Sequence, residues 1–411
     1  MSTKAASLDA IPRPRAFSPR VENACLWLLG AGGGVVLIEP SPYELLFFVC
    51  VLVLGVGGLA LHRSSLPMAI LLAIFNLGGV IALVPFLHVT DSVMFIAISI
   101  YLMVTSIFFA MILLERGSER FDALGRGLIV GAAIASFAGI LGYFDVGGLA
   151  AIFTLHDRAS GTFKDPNVLG TFVILPVLLL AQRILFRRGR VLVDLALLGL
   201  ILFGGVFLSF SRGAWGHTAG SLLMMAMLTF VLGSDARLRT RMVLLGLLVP
   251  FLAVGALLTA ISVEPIREML EQRANLVQEY DAGPTGRFGN QARALPMLVG
   301  LPNGFGPLQF RSHFPEEPHN VYMNAFASYG WLGGISYLGL TLATIAVGFA
   351  TVARRFSLQP VAIAVWSTLF VQMLLGFIID TDHWRHYYLL LGLIWGLFAL
   401  SRLEALRSRG S

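Results

Sequence analysis

LPMAILLAIFNLGGVIALVPFL, residues 66–87, and VMFIAISIYLMVTSIFFAMILL, residues 93–114, decide the fold. Neither stretch carries a formal charge. Each supplies the roughly 20 apolar residues that a helix rising 1.5 Å per residue needs to cross a hydrocarbon layer about 30 Å thick. Similar runs lie on either side, near 23–38, 42–61, 127–144, 166–186, 191–210, 214–233, 242–262, 322–351, 359–379 and 387–403. The composition agrees, with 57% hydrophobic and 13% charged residues and a mean hydropathy of +0.81. Soluble domains carry about 25% charged residues, so an ordinary water-soluble enzyme is excluded. The chain reads as an all-α polytopic membrane protein with about twelve transmembrane helices. A basic N-terminal tail spans 1–22, one membrane domain spans 23–403, and a short tail spans 404–411.

The first run is the shortest and is rich in glycine. No small-residue cleavage site follows it, so it reads as an uncleaved helix rather than a signal peptide. Cys25 and Cys50 fall inside apolar runs and argue for neither a disulfide nor a metal site.

Lys and Arg are retained on the cytoplasmic side of a membrane, which orients the chain. With the N-terminus inside, all but nine of the 29 basic residues face the cytoplasm. The nine on the outer side are Arg158, Lys164, Arg212, Arg267, Arg273, Arg287, Arg293, Arg311 and Arg385. Both termini are then cytoplasmic. The net charge of +6 suggests nucleic acid, but the inside arginines form short clusters at helix ends. Orientation and contact with anionic lipid headgroups account for them, and no nucleic-acid partner is expected.

The loops are mostly turns, except for a segment at about 263–320 between the ninth and tenth spans. A loop of that length is either functional or disordered. Glu264-Pro265 can start a helix, and Ile266, Leu270, Ala274 and Val277 recur on one face, which predicts an amphipathic helix on the outer membrane surface. A turn at GPTG, residues 283–286, follows. Beyond it come Arg287, Arg293, Arg311, His313, Glu316, Glu317 and His319. A shorter outer loop, at about 145–165, ends in Asp165-Pro166, which suit the N-cap and first turn of the next helix. A third outer feature is the tight turn Ser211-Arg212-Gly213.

A guanidinium between two apolar helices is costly unless it finds water, an anion or an acidic partner. Arg212 therefore reads either as a ligand for a lipid phosphate, which its planar fork can hold in bidentate fashion, or as a snorkelling side chain. Arg287 reads as a second anion ligand or as a solvated loop arginine. His319, followed by Asn320 where the loop re-enters the membrane, suits proton transfer from a hydroxyl near neutral pH, or is simply interfacial. Asp380-Thr-Asp382-His383 has the spacing of a carboxylate metal site. A hydrated turn, with Asp380 or Asp382 paired to Arg385, explains it better. No metal and no other cofactor is expected.

Five motifs in order, RASGTFKDPN at 158–167, SRGAW at 211–215, GFGPLQF at 304–310, PHNVY at 318–322 and YGWLGG at 329–334, resemble the O-antigen ligase and polysaccharide polymerase superfamily. The resemblance covers most of the chain from about residue 120. It implies a C-type glycosyltransferase architecture in the bacterial inner membrane, with a catalytic periplasmic loop between helices nine and ten. It also implies transfer of a glycan from undecaprenyl diphosphate to an acceptor, either a lipid A core or another glycan, without a required metal. The positions matching the family site are Arg212, Arg287 and His319. Arg158 and Lys164 are further candidates for the diphosphate, and Asn320 and Tyr322 candidates for orienting His319. Arg293 and Arg311 are possible substitutes for Arg287.

The expected activity is an inverting, ligase-type transfer, with the two arginines on the diphosphate and His319 as the base. A repeat-unit polymerase differs only in its acceptor. A lipid-linked oligosaccharide flippase belongs to another class and needs polar groups distributed through a central cavity. Only Asn76, Asp194 and Gln372 are notable polar residues near the spans.

Overall fold

The computed structural model describes residues 17–410 apart from 39, 187–188, 234, 275–282 and 284–285. It is helical almost throughout. In order come α1 (Pro19–Gly32), α2 (Pro42–Val56), α3 (Leu66–Leu83), α4 (Thr90–Ile112) and α5 (Gly117–Tyr143), then a single turn, α6 (Ala150–Phe153). A two-residue hairpin, β1 (Thr154–Leu155) with β2 (Arg158–Ala159), leads to α7 (Pro166–Phe172) and α8 (Ile174–Leu185). Next come α9 (Val191–Ile201), which runs into a π-helical turn at Leu202–Phe207, then α10 (Arg212–Leu232) and α11 (Ala236–Ile261). The large loop holds α12 (Glu264–Ala274) and α13 (Arg287–Val299). The chain ends with α14 (Val321–Val352), α15 (Gln359–Leu375) and α16 (Arg385–Gly410).

Every apolar run read from the sequence falls on helical structure, the run at 166–186 on two helices, α7 and α8. Among the described residues, seven helical segments are long and apolar enough to cross a membrane, and three shorter apolar helices accompany them. The chain is a multi-pass, all-α membrane protein. Large apolar side chains such as Leu52, Leu192, Leu223 and Leu342 face outward, as expected where lipid replaces water. The interior centres on α16, whose Tyr387, Leu391, Ile394, Trp395 and Leu397 are buried. Around it the main pairings are α1 on α5, α3 on α14, α4 on α16 and α10 on α15.

Gly30 and Gly34 of the first run are explained by contact with α5. A Cβ on Gly127 would stand 2.1 Å from the Trp27 carbonyl oxygen, and one on Gly30 would stand 2.5 Å from the Leu124 oxygen. Small residues let the two backbones touch, which is how helices associate where lipid offers no hydrophobic drive. α1 also starts a turn earlier than expected, because Glu22 is buried against Arg120 at 2.9 Å. Some arginines at this end of the bundle are thus held by the protein itself, and Arg183 likewise pairs with the buried Asp194 at 2.9 Å.

One further expectation needs correction. The helix α12 does not simply rest on a membrane surface. Its Ile266 and Met269 are buried against Ala159, Leu208 and Phe210, with Leu270 packed beside them. The apolar face therefore caps the π-helical turn. Val277, Pro284 and Thr285 lie outside the described residues. The tenth run forms α14, as read from the sequence, with a kink at Gly330, φ 66° and ψ −171°. There the Trp331 N–H donates to the Pro302 carbonyl at 2.8 Å. A Cβ on Gly330 would stand 2.6 Å from that same oxygen. The loop thereby docks into the break, and at 1.5 Å per residue the 32-residue helix would otherwise exceed the hydrocarbon thickness.

Candidate active site

The hairpin, the start of α10, the start of α13, the residue before Asn320 and the end of α15 with the turn after it converge at the end of the bundle that carries the large loop. They enclose a cavity of about 690 Å³ lined by Arg158, Arg212, Arg287 and His319, with His217, Phe210 and Phe288 among the other walls. Four of the candidate residues, distant in sequence, therefore share one space. Lys164 does not: it lines a separate cavity beside Trp384 and His386.

Arg158 is placed by its own fork. Its Nε donates to the Ser209 carbonyl at 2.7 Å and a terminal nitrogen donates to Asn167 Oδ1 at 2.8 Å. The Ala159 N–H adds a bond to the Leu208 carbonyl at 2.9 Å. The hairpin is thus fastened to the end of the π-helical turn and to the start of α7, where Asp165 caps Asn167 as expected.

Arg212 is not in a free-standing turn. Ser211 is the N-cap of α10, its Oγ accepting from the Ala214 N–H at 3.2 Å, and Arg212 is the first helical residue. Arg287 holds the same position in α13, with Gly286 as N-cap, so it is a helix start rather than a loop arginine. It donates to the Ile378 carbonyl at 3.0 Å. Each helix start adds about half a positive charge from its dipole, so both guanidinium groups sit where the backbone already favours an anion. Arg293 is turned away, bonded to Asn290 and lying over the Phe314 ring, and Arg311 pairs with Glu317. Neither lines this cavity.

His319 has a positive φ of 44°, an uncommon backbone state for a non-glycine residue. Asp380 holds it there. One carboxylate oxygen accepts the His319 N–H at 3.1 Å and the other the Asn320 N–H at 3.0 Å. The His319 Nδ1 lies 3.7 Å from Asp380 Oδ2. Burial, then the charge of Asp382, push the Asp380 carboxyl up to about 7, against the pull of the Asn320 N–H. Asn320 caps α14 through the Tyr322 and Met323 N–H groups. The Tyr322 hydroxyl donates to the Met373 carbonyl at 2.7 Å, so Tyr322 braces α15.

Two residues of this site escaped the sequence reading. Asp380 was visible only as half of a carboxylate pair, and its pairing with Arg385 is not what forms. Arg385 instead pairs with Glu44 at 2.5 Å, and Asp382 accepts from Asn324 and contacts His383. The other is His217, buried in α10, with Nε2 on the Thr368 carbonyl at 2.9 Å and Nδ1 without a protein partner. Its signal was the spacing from Arg212, five residues along one helix. Among the described residues no group of three or more His, Cys, Asp or Glu side chains could hold a metal ion.

Residues 197–338 match the family model for O-antigen ligase. That stretch contains Arg212, His217, Arg287 and His319, while Arg158 and Asp380 fall outside it. No curated protein matches the chain. The match supports membership of the O-antigen ligase superfamily and an O-antigen ligase-like function in polysaccharide biosynthesis.

Proposed function

We propose, with that superfamily as the premise, that the protein transfers a glycan from undecaprenyl diphosphate to an acceptor sugar at the periplasmic face of the bacterial inner membrane. The observation that carries this reading is the single cavity shared by Arg158, Arg212, Arg287 and His319. Three cations and two helix starts suit a diphosphate, and one imidazole backed by a carboxylate suits a base. The acceptor is a lipid A core in the ligase reading.

The acceptor hydroxyl oxygen attacks the anomeric carbon, and the bond from that carbon to the diphosphate oxygen breaks with its electron pair. His319 takes the hydroxyl proton, and Asp380 balances the imidazolium that results. Arg212 and Arg287, with Arg158, offset the negative charge building on the departing lipid diphosphate. A single displacement of this kind inverts the anomeric centre, and none of its steps calls for a metal.

The test is transfer of undecaprenyl-linked glycan by purified Arg212→Ala, Arg287→Ala and His319→Ala proteins. His319→Ala should lose about 10²–10⁴-fold in kcat, and each arginine variant about 10²–10³-fold. Full activity in any one removes that residue from the mechanism. In cells, loss of polymer attached to lipid A on deleting the gene marks a ligase, whereas loss of long chains alone marks a polymerase.

A further inference from the structure

Arg287 and Gln291 stand one turn apart on the same face of α13, about 6 Å along its axis. Arg287 donates to the Ile378 carbonyl at 3.0 Å, and Gln291 Nε2 donates to the Pro318 carbonyl at 2.7 Å. A carbonyl oxygen can only accept, so it is the amide nitrogen of Gln291 that faces it. Ile378 lies two residues before Asp380, and Pro318 immediately precedes His319. Asp380 in turn accepts the His319 and Asn320 N–H groups. The helix that starts at Arg287, the turn after α15 and the end of the large loop therefore close into one ring of hydrogen bonds.

The bond from Gln291 falls on the peptide link that enters His319. The carbonyl oxygen of that link is held by Gln291 and its N–H by Asp380, so its plane is gripped at both edges. The direction of that plane, seen from the His319 Cα, is the φ of 44°. A residue with a side chain keeps such a value only where its surroundings hold it. With the carbonyl released, one of the two grips is gone, and the link can rotate towards an ordinary negative φ and carry the imidazole with it. Gln291 is not among the walls of the cavity, so it acts through His319 rather than on a substrate. The seat of α13 does not depend on it. Ala294 and Leu298 are buried with Phe305, Phe310 and Phe314, and Trp331 Nε1 donates to the Leu298 carbonyl at 2.8 Å.

We propose that Gln291 is a positioning residue, which fixes the base His319 at a set distance from the diphosphate ligand Arg287 by holding the Pro318 carbonyl from the same helix. The proposal rests on the glycan-transfer reading above. Its physical basis is that a base displaced by about 1 Å from the hydroxyl it serves loses rate steeply, while the cations still bind the leaving group.

The experiment uses the full-length protein in lipid nanodiscs, with undecaprenyl-linked glycan and the surface-glycan fraction from cells lacking this chain as substrates. Gln291→Met keeps the length of the side chain and removes its N–H, whereas Gln291→His keeps an N–H at nearly the same reach. Gln291→Met should lower kcat about 10²-fold, with KM for the lipid-linked glycan within about threefold of wild type, because Arg158 and Arg212 stand on other segments. Gln291→His should bring kcat back to within about fivefold of wild type. A kcat for Gln291→Met within about threefold of wild type overturns the proposal. An equal loss in Gln291→His overturns it too, since the effect is then one of packing. Hydrogen exchange read by mass spectrometry reports the grip itself: peptides spanning His319 and Asn320 should exchange about tenfold faster in Gln291→Met and at the wild-type rate in Gln291→His. This measurement needs no turnover. Should the wild-type protein transfer nothing, the glycan-transfer reading fails, while the exchange rates still decide whether Gln291 holds His319. Equal rates in all three proteins overturn the proposal in either case. Should Gln291→Met not fold, Gln291→Asn, whose amide falls one methylene short, takes its place with the same expectations.

Discussion

Replacing Asp380 by Asn tests the site where activity and stability should part company. The carboxylate lies 3.7 Å from His319 Nδ1, with the side chains 25% and 39% exposed. At that separation a unit charge pair is worth about 1 kcal/mol in water-like screening and about 4 kcal/mol at an effective dielectric of about 20. The half-exposed geometry falls between these limits, so kcat should fall about ten- to a few-hundred-fold with donor KM held. The wild type should also lose activity as pH falls through about 7, the value to which burial and Asp382 push this carboxyl. Asn does not titrate, so the variant's acid limb should lose the Asp380 step and become shallower, while the requirement for an unprotonated base remains. Stability runs the other way. Because folding raises this carboxyl above its ordinary value, its contribution is complete at acid pH and is lost as pH rises through about 7. Asn avoids that loss but accepts only one of the two N–H groups, forfeiting roughly 1 kcal/mol. At pH 8 the variant should therefore melt close to the wild type. Transfer kinetics from pH 5 to 9, with thermal melting in detergent, check both halves. A kcat within about threefold of wild type on an unchanged pH profile would refute the argument.

Three further substitutions probe the scaffold. Gly127→Ala forces a methyl against the Trp27 carbonyl, 2.1 Å from where its Cβ must lie; the overpacking should cost about 1–3 kcal/mol, read as a lower melting temperature. Glu22→Gln strips the counter-charge from Arg120, whose side chain is 4% exposed; a loss of about 3–5 kcal/mol is expected, and Glu22→Gln with Arg120→Met should recover much of it in the same melting assay. Arg158→Lys keeps the charge but cannot hold the Ser209 carbonyl and Asn167 together. Transfer activity should fall at least tenfold, because a point charge does not replace a two-armed fork.

The helices were legible because each apolar run is long enough to be read without any tertiary information. One cap was legible too: Asp165 accepts from the Asn167 N–H as expected, whereas Ser211, read as part of a tight turn, caps α10. Partnerships across the chain were not. Nothing local in the sequence says that Arg385 answers Glu44 rather than Asp380, because that choice is made where α16 passes α2. The same holds for Lys164. It stands six residues after Arg158, but the intervening segment turns at Gly161, with φ 56°, and the two side chains line different cavities. The face of α12 was half legible. Its periodicity showed an apolar stripe, and only packing shows that protein, through Leu208 and Phe210, covers it.

The distribution of polar groups also bears on transfer chemistry against lipid-linked sugar transport. A flippase needs a headgroup path through the bundle. Two cavities, of about 700 and 690 Å³, share no lining residue. Along α15, Pro360 and Val361 line one while Val371 and Leu374 line the other, about ten residues or roughly 15 Å apart. Between them the helix carries Ala364, Val365, Trp366 and Leu369, all fully buried. The Asn76 amide nitrogen donates to the Leu72 carbonyl of its own helix, and Asp194 belongs to the cavity at the far end. Gln372 is buried within α15 and lines neither space. At one end Arg126 and Arg183 line the cavity paired to Asp122 and Asp194, whereas at the other Arg158, Arg212 and Arg287 stand beside the histidine and carboxylate that suit proton transfer. A headgroup bound there is held next to a base rather than at the mouth of a passage, which favours bond exchange over transit.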